Sequence, residues 1–304
     1  MPFDQSTMVF PDGTRFFERH IRADGDVVIA DRSSIEFGVE TPARVFLGEG
    51  VRVLGGVTAA ADVHADLFSY VEGDITSQGS VFLGERAHIR GKLSVAGDLD
   101  VGDDVKIEQG FETRGWINIR NPIPTVVYVF LYLMQLLNAG RSEEVERVLG
   151  ELSATEDMFH VSDTFMYVPT GSYVGLESSI AKGPLRVGEG SRVLGNFEVG
   201  GFASIGANTS FHGALRAQGD VHLGPGCEVH GDVASSGHVA VGPGTRVHGA
   251  LTASTLELHP GALVLGTVTA PKGMRFVTPE SEVAAGKVDA FRAGKTPDLV
   301  RLLE

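Results

Sequence analysis

The chain has 304 residues, 42% hydrophobic and 21% charged, with 40 glycines against 13 prolines. That balance excludes wholesale disorder, and glycine without a strict third-residue repeat excludes a collagen triple helix. A net charge of −14 argues against a whole-molecule footprint for nucleic acid or an anionic membrane, and the lone cysteine, Cys227, excludes an intrachain disulfide.

Residues 1–26 read as an N-terminal cap with a turn at Pro11-Asp-Gly13. Met1 to Phe10 carry no basic-then-apolar leader, so the expected address is cytoplasmic.

From residue 27 to 120 a period takes over. Val45-Phe-Leu-Gly-Glu-Gly-Val-Arg-Val-Leu-Gly55 and Val81-Phe-Leu-Gly-Glu-Arg-Ala-His-Ile-Arg-Gly91 share one pattern, and Gly55, Gly73 and Gly91 recur at every eighteenth position. Inside that unit runs a beat of six. Two tracks, one through residues 45, 51 and 57 and one through 47, 53 and 59, hold apolar residues nearly throughout. Counted over 45–119 and 185–253, 43 of 50 track positions are apolar, about twice what composition alone supplies, so the phase belongs to the fold. An i, i+2 pair on one face is strand geometry, and the two residues between strands make a corner. Three corners per period close one triangular rung. The expected fold is therefore an all-β solenoid, a triangular parallel β-helix rising about 4.8 Å per rung with aliphatic columns inside. The glycines are expected to serve corners that need positive φ.

The beat stops after Ile119. Asn121-Pro-Ile-Pro124 breaks the strand register, and residues 121–156 read as an α-helical hairpin linker. Its first helix, over 125–138, is apolar on every side. The apolar body, Val126 to Leu137, falls short of the roughly 20 residues that a spanning helix needs. Val126, Val127, Phe130, Leu131, Met134 and Leu137 are expected to pack on a lobe or form an assembly interface, with shallow membrane contact as the remaining use. Trp116 is expected to plug the junction between the first lobe and the hairpin. The beat returns over 157–283 as a second lobe, with Gly195, Gly213, Gly231 and Gly249 at the same interval and one deletion near Leu256. Residues 284–304 read as a C-terminal cap helix, and both outer ends are expected to be covered.

Chemistry is scarce along this layout. His212, His230 and His248 each follow an inward site one rung apart, which predicts a stacked surface ladder. They are weak candidates for a metal, because side chains on successive rungs point in parallel and do not converge on a tetrahedron. The equivalent column of the first lobe, Leu54, Glu72, Arg90 and Glu108, alternates in charge and reads as structural. Cys227 falls on an inward column as a small hydrophobe. No phosphate loop or nucleophile elbow is present, so no cofactor is expected.

The run Val229-His-Gly-Asp-Val-Ala-Ser-Ser-Gly-His-Val-Ala-Val-Gly-Pro-Gly-Thr-Arg-Val-His-Gly249, followed by Leu256-Glu-Leu-His-Pro-Gly-Ala-Leu-Val-Leu-Gly266, resembles the bactofilins, polymer-forming cytoskeletal β-helix proteins. The likeness covers roughly 45–119 and 185–268. The link Arg114-Gly-Trp-Ile-Asn-Ile-Arg-Asn-Pro-Ile-Pro124 and the helix after it resemble an archaeal, halofilin-like branch. The resemblance implies a right-handed coil, nucleotide-independent self-association often through terminal rungs, and a non-enzymatic scaffold for cell shape. It implies self as the main partner, with a second bactofilin-like protein or a membrane surface beside it, and no nucleic acid. Two departures stand out: a pair of lobes joined by a helical hairpin where the family has one lobe with disordered flanks, and two outer ends that are expected to be covered. The rival expectation is a trimeric hexapeptide-repeat acyltransferase, whose repeat also fits Val187-Gly-Glu-Gly-Ser-Arg192 and Ile205-Gly-Ala-Asn-Thr-Ser210, with His212 or His230 as base. A carbonic-anhydrase-like zinc trimer is a third and weaker expectation.

Overall fold

A computed structural model describes residues 4–120, 134 and 162–277. Every element with described bounds is a short strand, and the strands form a parallel β-solenoid of about 12 turns in all. They fall into two compact units, Arg22–Gly171, and Met1–Ile21 together with Ser172–Glu304. The hairpin expected over 121–156 lies outside the described residues except for Met134, as does the cap helix expected over 284–304.

In the unit Arg22–Gly171, each turn contributes one strand to each of three sheets. Val63–Ala65 sits between Val45–Leu47 and Val81–Leu83, with Val63 opposite Val45 on one side and Val81 on the other. The second face stacks Tyr70–Val71 between Arg52–Val53 and His88–Ile89, and the third stacks Ile75–Ser77 between Val57–Ala59 and Leu93–Val95. Each of these pairings joins residues one full period apart, so the sequence period and the rung are the same object. Inward residues fill the bore: Val45, Val63, Val81 and Leu99 form one column, and Val53, Val71 and Ile89 another, all essentially without solvent exposure. Each such burial contributes about 1.5–3 kcal/mol. A further strand, Phe165–Val168, pairs in parallel with Asp26–Ile29, placing Met166 beside Val27 and Val168 beside Ile29.

The second unit repeats the scheme. Leu185–Val187, Ala203–Ile205, Val221–Leu223 and His238–Val241 stack in order on one face. The expected deletion is visible as a register shortened by one, since Val239 pairs with Leu256 and Val247 with Val264. The N-terminal segment supplies strands here: Met8–Phe10 lies on Leu185–Val187, and Arg15 pairs with Arg192. Phe10, Phe16, Phe197 and Phe211 pack edge to face at centroid distances of 5.2–6.5 Å, a wider filling than the aliphatic columns give. One pairing departs from the parallel pattern. Tyr173–Val174 runs antiparallel to Ser178–Ala181, where Gly175 to Glu177 turn the chain back.

Most of the polar residues that interrupt the inward tracks donate to carbonyls at the corners. Ser77 Oγ reaches Ala61 O at 2.8 Å, Thr113 Oγ1 reaches Gly97 O at 2.8 Å and Ser235 Oγ reaches Gly219 O at 2.7 Å. Thr209 and Thr245 do the same toward Gly188 and Gly224. A second device binds rung to rung outside the ladders. The Oδ1 atoms of Asp62, Asp74, Asp98, Asp220 and Asp232 each accept a backbone N–H from the next rung, at 2.7–2.8 Å. Four of the five follow a glycine, and this is the physical content of the repeated Gly-Asp element: the carboxylate satisfies a backbone N–H at the corner of the next rung.

Candidate functional site

The three histidines do form a ladder. Ser210–His212 and Glu228–Val229 are in parallel register, as are Glu228–Val229 and Arg246–Val247, which aligns the residues that follow. His212 and His230 stack at a centroid distance of 4.3 Å and 5° between planes, and His230 and His248 at 4.8 Å and 9°. Their spacing is that of the rungs themselves. Burial, then the neighbouring His230 and Arg192, hold His212 below the usual imidazole pKa, with Glu228 opposing. Its Nε2 lies 3.0 Å from Ser210 Oγ. Glu228, which the sequence does not single out, stands two positions before His230 on the same outward face. Its Oε1 is 3.0 Å from His248 Nε2 and its Oε2 is 4.0 Å from His230 Nε2. The hydrogen bond from His248 holds the Glu228 carboxyl below the usual range. The period-two rule that finds the histidines places Glu228 beside them; it carries no signal of its own because exposed glutamates are common.

The column expected to alternate in charge does so in space. Arg90 Nη1 is 2.7 Å from Glu72 Oε1, and its Nε is 3.9 Å from Glu108. Two further polar arrangements have no counterpart among the expectations. His64 lies flat between Phe46 and Phe82 at centroid distances of 5.0 and 4.4 Å, and burial holds its imidazole below the ordinary value, against Asp62 and with Arg44. Arg44 in turn clasps the buried Asp26 with Nε at 3.2 Å and Nη2 at 2.6 Å. Burial works to raise the Asp26 pKa, but the Arg44 side chain and the backbone N–H groups of Ser162 and Arg44 outweigh it, and the carboxyl is lowered.

The corner glycines mostly serve a purpose other than the expected one. A Cβ on Gly73 would lie 2.5 Å from Gly56 N, and one on Gly249 would lie 2.5 Å from the carbonyl carbon of Gly231. Cβ atoms on Gly55, Gly91, Gly213 and Gly231 would run into Gly38, Gly73, Gly195 and Gly213. These positions are glycine because successive rungs touch there. Of the seven expected corner glycines, Gly195 at φ +98° and Gly213 at φ +156° meet the positive-φ expectation. Left-handed backbone concentrates instead at another corner, where Arg32, Gly50, Phe68, Arg86 and Asp104 follow one another rung by rung with φ of 52–64°. Cys227 is buried as expected, with Sγ 2.9 Å from Gly206 O, and burial pushes its thiol up.

Trp116 is 84% exposed, and the hairpin that it is expected to plug against lies outside the described residues. It sits on the last described turn of the unit Arg22–Gly171, together with exposed Phe111, Ile117 and Ile119. The last described turn of the other unit exposes Leu263, Leu265, Met274 and Phe276. The cap expected after this turn, over 284–304, lies outside the described residues. Of the apolar helix set, Val126, Val127, Phe130, Leu131 and Leu137 lie outside the described residues, and Met134 is exposed. No helix among the described residues is long and apolar enough to cross a membrane.

Concavities are shallow. A groove of about 460 Å³ runs between Val9–Asp12 and Arg186–Gly188, and Asp12, its carboxylate, is already used by the Glu189 N–H at 2.7 Å. No protein family, curated protein or solved structure matches the chain.

Proposed function

We propose that this chain is a non-enzymatic, self-assembling scaffold of bactofilin type, acting in cell shape without bound nucleotide. The observation that carries the proposal is the pair of apolar turn ends. On the last described turn of each unit, strands offer backbone edges that no other described strand takes up, and large apolar side chains stand beside them. An open edge with an apolar cross-section invites another chain. The repeat supports the same reading, because a second copy presents rungs of matching width. The outward columns fit it as well: ladders of charge, imidazole and aromatic rings stack from rung to rung and stabilise their neighbours.

The right-handed coil and the choice of partner belong to this proposal and rest on the resemblance; the cytoplasmic address belongs to it as well and rests on the lone cysteine, Cys227. The partner is self, with a second bactofilin-like protein or a membrane surface beside it. Negative-stain microscopy of the purified chain across a concentration series tests the reading. Oligomers or polymers that grow with concentration, unchanged by added nucleotide, are expected; a monodisperse monomer throughout would contradict it. Turnover of acetyl-CoA on incubation with hydroxyl and amine acceptors would replace the scaffold with the acyltransferase alternative.

A further inference from the structure

We infer that Glu228, His230 and His248 form a binding site for a divalent cation of the zinc class. The ladder of three histidines alone is a poor chelate, since parallel imidazoles offer their nitrogens in a line. Glu228 changes that. It comes from the strand position two before His230, and its two oxygens face two different rungs, Oε1 toward His248 Nε2 at 3.0 Å and Oε2 toward His230 Nε2 at 4.0 Å. The three ligand atoms lie within 4.8 Å of one another. Two ligands on one tetrahedral zinc ion, each at about 2.0–2.1 Å, are separated by about 3.3 Å. The two carboxylate–imidazole separations, one from each Glu228 oxygen, lie on either side of that value, and the His230 and His248 rings, stacked at 4.8 Å, must tilt toward each other at Nε2 to close the set.

The side chains are 35–44% exposed, so an ion reaches them and a water can fill the fourth position. Two imidazoles and one carboxylate suit zinc over calcium or magnesium, which want oxygen ligands. Nε2 of His248, the nitrogen that faces Glu228, is the one that ligates the ion. Arg246, in register with Glu228, is the cation that opposes the ion, and the Glu228 charge offsets it. His212 stacks on His230 with its Nε2 near Ser210, which leaves it in the ladder and outside the ligand set.

Zinc titration by calorimetry on the full chain tests the inference, with the Glu228→Gln, His248→Asn and His222→Asn variants alongside. One saturable site is expected, weakened about tenfold or more by Glu228→Gln and by His248→Asn and unchanged by His222→Asn, whose residue lies on another face. A second readout needs no variant: zinc should shield His230 and His248 from diethylpyrocarbonate while His222 stays reactive. An absence of saturable binding would overturn the inference, as would affinity untouched by the two site variants or equal labelling of all three histidines with and without zinc.

Discussion

At the scale of single residues, backbone geometry and close approach decide what each corner tolerates. Arg32 is an exposed, non-glycine residue at φ 55°, one turn from Gly50 at φ 64°. A left-handed conformation costs an L-residue about 1–2 kcal/mol, partly offset by the greater unfolded freedom of glycine. Arg32→Gly is therefore expected to stabilise by about 0.5–1 kcal/mol and Gly50→Ala to destabilise by about 1 kcal/mol, read as shifts of the urea midpoint. The rung-contact glycines obey a different rule. Gly73→Ala places a methyl 2.5 Å from Gly56 N, and should cost about 1–3 kcal/mol although its φ is ordinary. If Gly73→Ala unfolds at the wild-type midpoint, the rungs are not in contact there.

Asp26 and His64 make stability depend on pH in two separate windows. The folded pKa of Asp26 lies below its unfolded value, so its contribution is present above about pH 4 and is lost as pH falls through the folded value. Asp26→Asn takes the carboxylate away from the buried end of the Arg44 ion pair and should cost about 1–3 kcal/mol at pH 7. His64 is also lowered, and for a histidine this means that the neutral ring is favoured in the fold. Its contribution is complete above about pH 6.5 and fades as the ring takes up a proton below that. Urea midpoints should fall from pH 7.5 toward pH 5, and His64→Gln should flatten that slope. A slope unchanged in His64→Gln would show that the Phe46–His64–Phe82 sandwich does not control protonation.

At the scale of the element, the turn is the unit that the sequence spells out most openly. Residues 45, 63 and 81 are one rung apart in both sequence and space because a closed turn of fixed circumference forces the two to coincide. The inward tracks, the one-residue deletion near Leu256, the histidine ladder and the Arg90 column all follow from that constraint and can be read from letters alone. Whatever a constant period does not encode stays hidden. Phe165–Val168 and Met8–Phe10 each add a strand to a unit whose other turns lie far away in the chain, and a single strand has no period to reveal its neighbour. The expected role of Trp116 turns on the hairpin that follows it, which lies outside the described residues. Glu228 escapes notice since its meaning depends on His248, which the chain reaches only after a further rung. The Gly-Asp element is visible as a motif while its use is not: the carboxylate caps an N–H one rung away. Asp232→Ala should remove the acceptor for Ala250 N and cost about 1 kcal/mol, with hydrogen exchange at Ala250 accelerating more than at Leu251.

At the scale of the whole molecule, the proposed assembly rests on turn ends that carry apolar side chains where a closed protein would carry polar ones. Phe111, Trp116, Ile117 and Ile119 on one unit, and Leu263, Leu265, Met274 and Phe276 on the other, are matched by no covering element among the described residues. A second copy resolves both liabilities at once, by pairing the free strand edges and removing the apolar side chains from water. The stacked columns inside each unit then matter as a stiff and regular surface for contact, with energy supplied at the ends. Sedimentation velocity of the wild-type chain and of the Trp116→Asp/Ile119→Asp and Phe276→Asp variants, compared across the same concentration range, tests this most directly. Assembly through the ends predicts that wild-type protein sediments as larger species as concentration rises and that charges at either end shift the distribution toward the monomer while the folded circular dichroism is kept. Identical sedimentation of the wild type and both variants would contradict it.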